Sequence, residues 1–258
     1  MSVWLLDPEN PGDVSFPPPE LGNRGDGLLA VGGDYSVPRL VEAYSNGIFP
    51  WTVIPRYGIG WHSPDPRFVL MPEGLHVPKS LERTLRKHPF EITVDRAFER
   101  VIAACADAHR RDGVWITKAL REGYIALHRA GHAHSVEAWR DGELAGGLYG
   151  VSVGPVFCGE SMCALVADAS KVAFATVARA LFAAGCPMID CQVHGDHLAR
   201  FGAVDIPRDE YLARLRRAKA ESPPIDWEHL LPGQTGATYH GGESIPPATF
   251  CQAQAQAR

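Results

Sequence analysis

The chain has 258 residues, with 25 Lys and Arg against 30 Asp and Glu, which gives a net charge of −5. This balance excludes a protein that coats nucleic acid through bulk positive charge, although it leaves room for a local basic site. The length suits one large domain or two modest ones with a sizeable core.

The N-terminal part predicts a small α/β domain over residues 1–66. Residues 1–35 are rich in Pro and Gly, which indicates irregular chain with a short strand at Leu28–Val31. A helix is predicted from Ser36, a residue type that caps helices, to Gly47, which ends it. The proline-rich segment that follows sets the predicted domain boundary near residue 66.

Beyond the boundary, helices and strands follow one another over residues 67–218. The predicted helices are Lys79–His88, one capped by Asp95, Thr117–Ala130, one from Asp168 or Ser170 to Ala184, and Pro207–Ala218. The predicted strands are His134–Arg140, Glu143–Val153, a piece beginning at Val156, and Met188–Val193. Asp141-Gly142 predicts a hairpin. We therefore expect an α+β protein with a mixed sheet and packed helices, and a partly ordered tail over 219–258.

The segment PMIDCQV places an acid and an amide two residues apart on a predicted strand. Alternation puts the side chains of Asp190 and Gln192 on one face and those of Ile189 and Cys191 on the other. Two readings stay open, a structural hydrogen-bond pair or an active-site pair on a rigid element.

The segment VFCGESM places Glu160 among apolar residues. Its carboxylate lies either at a strand end in solvent or in a lined pocket. Phe157, Met162 and Leu148 can line such a pocket, or they can be plain core.

Two tryptophans and one helix suit nucleic acid. Trp51 and Trp115 lie outside the core periodicity, so each can stack on a base or simply plug a loop. On the helix after Pro78, four cations fall within an arc of about 100°, and the alternative to phosphate contacts is a solvated face. These cations are Lys79, Arg83, Arg86 and Lys87.

Other signals are absent from the sequence. There is no phosphate-binding GxxxxGK[ST], no GxSxG, no HExxH and no CxxC, and we expect neither a metal nor a cofactor. The N-terminus does not resemble a signal peptide, and no uncharged apolar stretch approaches the roughly 18 residues of a membrane helix. We expect a cytoplasmic monomer without membrane contact.

A series of longer motifs then carries a resemblance. GGDYS, AYSNGIFPW, HSPDPR, GVWIT, GHAHSVEAW, GGLYGV, FCGESM, IDCQV and FGAVDIPRDEYL occur in an order that resembles the bacterial leucyl/phenylalanyl-tRNA–protein transferases, from about Phe16 to Leu215. The resemblance implies transfer of Leu, Phe or Met from aminoacyl-tRNA to proteins that begin with Arg or Lys, which marks them for degradation. It also implies a C-terminal domain like that of the GNAT acyltransferases, although the phosphate loop that binds acetyl-CoA in those enzymes is not evident.

The resemblance also implies residue roles. Asp190 and Gln192 match the catalytic pair, and Glu160 matches an acid that binds the acceptor peptide. The donor side-chain pocket matches Leu148, Phe157, Met162, Val177 and Ile189, where Leu148 and Val177 replace the Met and Phe that are frequent in the family. Trp51, Trp115 and Tyr44 match the residues around the 3′-adenosine, and Lys79, Arg83, Arg86 and Lys87 match the contacts to the tRNA acceptor stem.

Overall fold

The computed structural model describes residues 3–7, 12–108 and 116–231. Within them the chain forms two β-sheets and seven α-helices, which confirms the α+β class. The smaller sheet has the strand order β1-β2-β4-β3, and its pairs are antiparallel except for β1 with β2. Its strands are β1 (Trp4–Leu6), β2 (Leu28–Gly32), β3 (Phe49–Ile54) and β4 (Gly58–His62).

The larger sheet has seven strands in the order β11-β5-β10-β9-β8-β7-β6. It is mixed, as predicted, because β9 and β10 run parallel while its other pairs are antiparallel. Its strands are β5 (Arg67–Leu70), β6 (Glu91–Val94), β7 (Ala133–Arg140), β8 (Glu143–Val153), β9 (Val156–Ala164), β10 (Ile189–Gln192) and β11 (Val204–Ile206).

The predicted helices are all present, each within about one turn of its predicted ends. The described residues contain no helix that is both long and apolar enough to cross a membrane. The helices are α1 (Val37–Ser45), α2 (Lys79–Leu85), α3 (Phe98–Ala108), α4 (Lys118–Arg129), α5 (Ala169–Ala183), α6 (Asp196–Ala199) and α7 (Arg208–Glu221).

The start of α3 differs from its prediction. Asp95 does not cap the helix, because its carboxylate accepts hydrogen bonds from the Ser135 backbone N–H and from His134, at 2.8 and 2.7 Å. The helix begins at Phe98, and the preceding N–H of Ala97 donates to the buried carboxylate of Glu137 at 3.2 Å. A cap supplied by a strand far away in sequence leaves no local signal.

The β7–β8 hairpin forms as its turn residues predict. Asp141 and Gly142 have φ of 54° and 80°, the left-handed pair that a two-residue turn needs to match the twist of its strands. This hairpin and β9 form the centre of the larger sheet, beside β10.

The two sheets share apolar and polar contacts. One hydrophobic cluster contains Trp61 of the smaller sheet and Tyr149 of the larger one. The guanidinium of Arg208 at the start of α7 donates to the carbonyl oxygens of Gly22 and Ser63, at 3.2 and 2.7 Å. The smaller sheet therefore packs as part of the body that carries β10.

Part of the predicted tail packs on the larger sheet. Trp227 is buried, its ring stacks on that of His134 with centroids 4.2 Å apart, and its Nε1 donates to Ser152 Oγ at 3.0 Å. Residues 232–258 lie outside the described residues.

Candidate active site

A cavity of about 320 Å³ opens where β9 and β10 of the larger sheet meet β3 of the smaller one. Most of its wall is apolar, and Glu160 and Gln192 supply polar groups. Four of the five residues predicted for the donor side-chain pocket line it, namely Leu148, Phe157, Met162 and Ile189. An apolar cleft with few polar groups is the usual form of a small-molecule site.

Val177 is the exception among the predicted pocket residues. It has no exposed surface and packs in the core around α5 rather than in the cavity wall. The longer side chain of Phe174, three residues earlier on the same helix, lines the cavity instead. Sequence reasoning missed Phe174, and also Phe49, whose ring comes from the smaller sheet.

The three residues predicted to surround an adenosine differ in where the structure places them. Trp51 is half-buried and lines the cavity, with its ring edge-on to His62 at 5.3 Å. Trp115 lies outside the described residues. Tyr44 is only 2% exposed, so its ring has no face for a base to stack on, and a place for it near the adenosine stays a prediction.

Tyr44 instead belongs to a cluster around Glu160. Its hydroxyl donates to Glu160 Oε1 at 2.6 Å, and the hydroxyl of Tyr124 donates to Oε2 at 2.9 Å. Gln192 Nε2 donates to Oε1 at 2.6 Å. Burial raises the pKa of Glu160 to about 7 against the lowering effect of these hydrogen bonds.

Asp190 lies behind the cavity wall, with no exposed surface. Arg67 donates to both of its oxygens, Nε to Oδ1 at 2.8 Å and Nη2 to Oδ2 at 2.6 Å. The Tyr211 hydroxyl donates to Oδ2 at 2.8 Å. Burial by itself would raise the pKa of Asp190, but the charge and hydrogen bonds of Arg67, together with the hydrogen bonds from Tyr211 and the Gln192 N–H, hold the pKa below its usual range.

The predicted alternation along β10 is wrong. The register against β5 shifts between Asp190 and Gln192, and Gln192 has a φ of 64°. This bulge turns the Gln192 side chain into the cavity beside Ile189 and Cys191, while its backbone N–H donates to Asp190 Oδ1 at 2.9 Å. Bulges of this kind re-aim a side chain next to a functional site, and a period-two pattern does not show them.

Arg67 is the main residue that sequence reasoning missed. Its buried guanidinium lies between the rings of Phe49 and Tyr211, at 4.7 and 4.4 Å from their centroids. Its Nη1 donates to the Gly47 carbonyl oxygen at 3.1 Å. Arg67 therefore ties Asp190 to the turn that follows α1.

Lys79 and Arg83 of α2 are exposed, and so are Arg86 and Lys87, which follow its last residue, Leu85. Within the described chain the structure gives Lys79, Arg83, Arg86 and Lys87 no ion pair. The acidic residue of this helix, Glu82, forms an ion pair with Arg179 of α5. The second basic helix differs, because Arg214, Arg216 and Arg217 of α7 all pair with glutamates.

Across the described ranges, no three His, Cys, Asp or Glu side chains come together in a group that could hold a metal ion. His194 pairs with Asp205 at 2.8 Å. His197 lines the cavity separately, and burial together with Lys171 and Arg200 lowers its pKa.

Comparison with known proteins gives the family. The model described as "Leucyl/phenylalanyl-tRNA protein transferase" matches residues 69–216, and that of its N-terminal domain matches residues 33–65. The chain belongs to the leucyl/phenylalanyl-tRNA–protein transferase family. A transferase of this name from Myxococcus xanthus (strain DK1622) is 52% identical, covering 86% of this chain and 94% of its own. Another from Anaeromyxobacter sp. (strain K) is 54% identical, covering 86% and 95%.

Among solved structures, a conserved protein of unknown function from Bacteroides thetaiotaomicron VPI-5482 is 12% identical over 62% of this chain and 56% of its own, with a TM-score of 0.29. This likeness is too weak to indicate a common fold.

Proposed function

We propose that this member of the family transfers Leu, Phe or Met from aminoacyl-tRNA to the N-terminal Arg or Lys of a protein, forming a peptide bond that marks the acceptor for degradation. The observation that carries the proposal is the cavity, in which an apolar wall meets the polar pair Glu160 and Gln192. An aminoacyl ester is already activated, so the reaction needs the two substrates in position, a deprotonated amine and a stabilised oxyanion.

The donor side chain occupies the apolar part of the cavity in this proposal. Leu148, Phe157, Met162 and Ile189 contact it, while Trp51 stacks on the 3′-adenosine at the rim, with Trp115 as its proposed partner. One methylene in such a pocket is worth only about 1–3 kcal/mol, so Leu, Phe and Met all enter. β-Branched side chains are excluded by shape.

The acceptor amine meets Gln192 in this scheme. The Gln192 amide donates through Nε2 to Glu160, which leaves the carbonyl oxygen of the same amide to accept from the attacking amine. Asp190 acts as a positioning residue, since it holds the backbone N–H of Gln192 at 2.9 Å and does not reach the cavity. We also propose that residues 67–218 form a GNAT-like domain, which the mixed sheet and its packed helices support.

The direct test is a transfer assay with purified protein. Leu-tRNA carrying a labelled amino acid is incubated with a peptide that begins with Arg and with a matched peptide that begins with Asp. We expect label on the first peptide alone, without ATP. If the protein binds the tRNA but transfers no label, it is a non-catalytic binding module. If it transfers an acyl group only from a thioester donor, it is an acyltransferase of another class.

Charge reversal on α2 tests the tRNA contact. We expect Arg83→Glu with Arg86→Glu to weaken the binding of different tRNAs alike and to flatten the dependence of affinity on salt by about two units of slope, because two phosphate contacts are lost. Filter binding between 50 and 200 mM salt measures this.

The matched control reverses two arginines of α7, Arg214→Glu with Arg217→Glu. It changes the net charge by the same amount, but on residues already paired with glutamates. We expect this control to keep the wild-type dependence of tRNA affinity on salt. If both double variants show the same salt dependence, Arg83 and Arg86 do not contact phosphates and simply face solvent.

A further inference from the structure

Two carboxylates, those of Asp190 and Glu160, lie beside Gln192. They differ in how many hydrogen-bond acceptor positions remain unoccupied. Both oxygens of Asp190 already accept two hydrogen bonds, Oδ1 from Arg67 and the Gln192 backbone, Oδ2 from Arg67 and Tyr211. A carboxylate has about four lone-pair positions. Asp190 is therefore saturated with donors and shielded from the cavity, and it has no position at which to receive a proton from a substrate.

Glu160 differs on both counts. It lines the cavity directly. Its Oε1 accepts from Tyr44 and Gln192, but its Oε2 accepts a hydrogen bond from Tyr124 alone among the described residues. One lone-pair position on Oε2 is thus left for a proton, beside the amide proposed to hold the attacking amine.

The two tyrosines suit both protonation states of this carboxylate. When Glu160 is ionised, both hydroxyls donate to it. Neither hydroxyl then has a proton left for the contact between the two hydroxyl oxygens, so this contact is a hydrogen bond only when Glu160 is protonated. When Glu160 is protonated on Oε2, this O–H can turn to donate a hydrogen bond to the Tyr124 hydroxyl oxygen, Tyr124 donates to Tyr44, and Tyr44 donates to Oε1. Hydroxyl protons rotate freely enough for this change.

On the basis of the proposed transfer reaction, we infer that Glu160 is the catalytic residue that takes the proton from the attacking amine and returns it to the leaving ribose oxygen. The acceptor α-amine, after loss of its extra proton to solvent, forms a C–N bond to the ester carbon. Its nitrogen passes one proton to Glu160 Oε2. The C–O bond to ribose then breaks, and the 3′-oxygen takes that proton and leaves as a hydroxyl, which restores the ionised Glu160.

The electrostatic surroundings fit this role. The titratable groups that face Glu160 are Tyr44 of α1, Tyr124 of α4, Tyr149 of β8, Cys158 of β9 and Asp190 of β10. Burial raises the pKa of the three tyrosines and of the cysteine well above their usual values, so they stay neutral at pH 7. A Glu160 pKa of about 7 lies near neutral pH, where a general base is most effective.

The test is Glu160→Gln, which keeps the shape and removes the proton acceptor. We expect kcat to fall by about 100- to 1,000-fold, while the KM for the peptide changes by less than about fivefold. In single-turnover assays the wild-type rate rises with pH through about 7, because the ionised form is the base, and this limb disappears in the variant. The limb of the peptide amine is the same in both enzymes and serves as the internal reference.

Two further variants keep the test sharp. Tyr124→Phe removes the hydrogen bond to Oε2, so it is expected to move the Glu160 limb to higher pH, which a purely structural role would not do. Glu137→Gln is the matched control, a buried carboxylate with a raised pKa that lies outside the cavity wall, and it is expected to keep the wild-type pH profile per folded molecule.

The outcomes separate this inference from the proposed function. If the wild-type protein transfers no amino acid, the proposed function fails. If it does, and Glu160→Gln retains kcat within about threefold or keeps the limb near pH 7, Glu160 is not the proton acceptor. A loss confined to the KM for the peptide would return Glu160 to acceptor binding alone.

Discussion

Asp190→Ala is expected to lower the free energy of unfolding by about 3–5 kcal/mol, because it leaves the buried guanidinium of Arg67 without its counter-charge. The same change is expected to lower transfer by about 100-fold or more, since the Gln192 backbone loses the acceptor that holds it. The affinity for tRNA is expected to stay unchanged, because the cations proposed to contact it, Lys79, Arg83, Arg86 and Lys87, do not line the cavity. Urea unfolding, single-turnover transfer and filter binding measure the three quantities.

A double variant separates the two effects of Asp190. Arg67→Met with Asp190→Leu removes both charges and fills the space with apolar side chains, an exchange that is often neutral or stabilising. We expect most of the stability to return while transfer stays low. Recovery of transfer together with stability would mean that Asp190 contributes only to folding.

Gly159→Leu is expected to lower transfer by about 10- to 100-fold with little change in stability. Gly159 lines the cavity, and a Cβ built there meets only the Asp190 carbonyl oxygen, at 3.8 Å. A leucine therefore extends into the space that we assign to the donor side chain and displaces an apolar group worth about 1.5–3 kcal/mol of burial. We expect a larger loss for Phe-tRNA than for Leu-tRNA, because phenylalanine is bulkier.

The matched control is the cross-strand partner of Gly159. Gly150 pairs with it on β8, but a Cβ on Gly150 would lie 2.2 Å from the Cys158 carbonyl oxygen. Gly150→Ala is therefore expected to lower Tm, whereas Gly159→Leu is expected to change it by less than about 3 °C. Unchanged transfer of both amino acids by Gly159→Leu would place the donor side chain elsewhere.

Sequence patterns predicted the elements whose signals are local. The Asp141-Gly142 turn and the apolar stripes of the longer helices depend on neighbours within a few residues, and they are confirmed. Strands β3 and β4 contain Pro50, Gly58 and Gly60, and β11 has three residues, so no period-two pattern could show them. Their pairing is set by distant partners.

In the candidate site, too, sequence patterns found the residues with local signals and missed those that depend on distant partners. Motifs identified Glu160, Gln192 and part of the apolar wall. They did not identify Arg67, whose partner Asp190 is 123 residues away in sequence, nor the bulge that separates Asp190 from the cavity. The proximity of Tyr44 and Tyr124 to one carboxylate also depends on how α1 and α4 pack, which is a tertiary property.

The contacts of Arg67 and Arg208 bear on how the chain folds. Each guanidinium belongs to the larger sheet or the helix after it, yet each donates to backbone carbonyls of the first 63 residues, those of Gly47, Gly22 and Ser63. Without that segment, Arg67 would keep Asp190 but lose the Gly47 carbonyl, and the buried guanidinium of Arg208 would lose its carbonyl acceptors, at a cost of several kcal/mol. The predicted boundary near residue 66 falls between the two sheets, but we therefore expect the sheets to unfold as one cooperative unit.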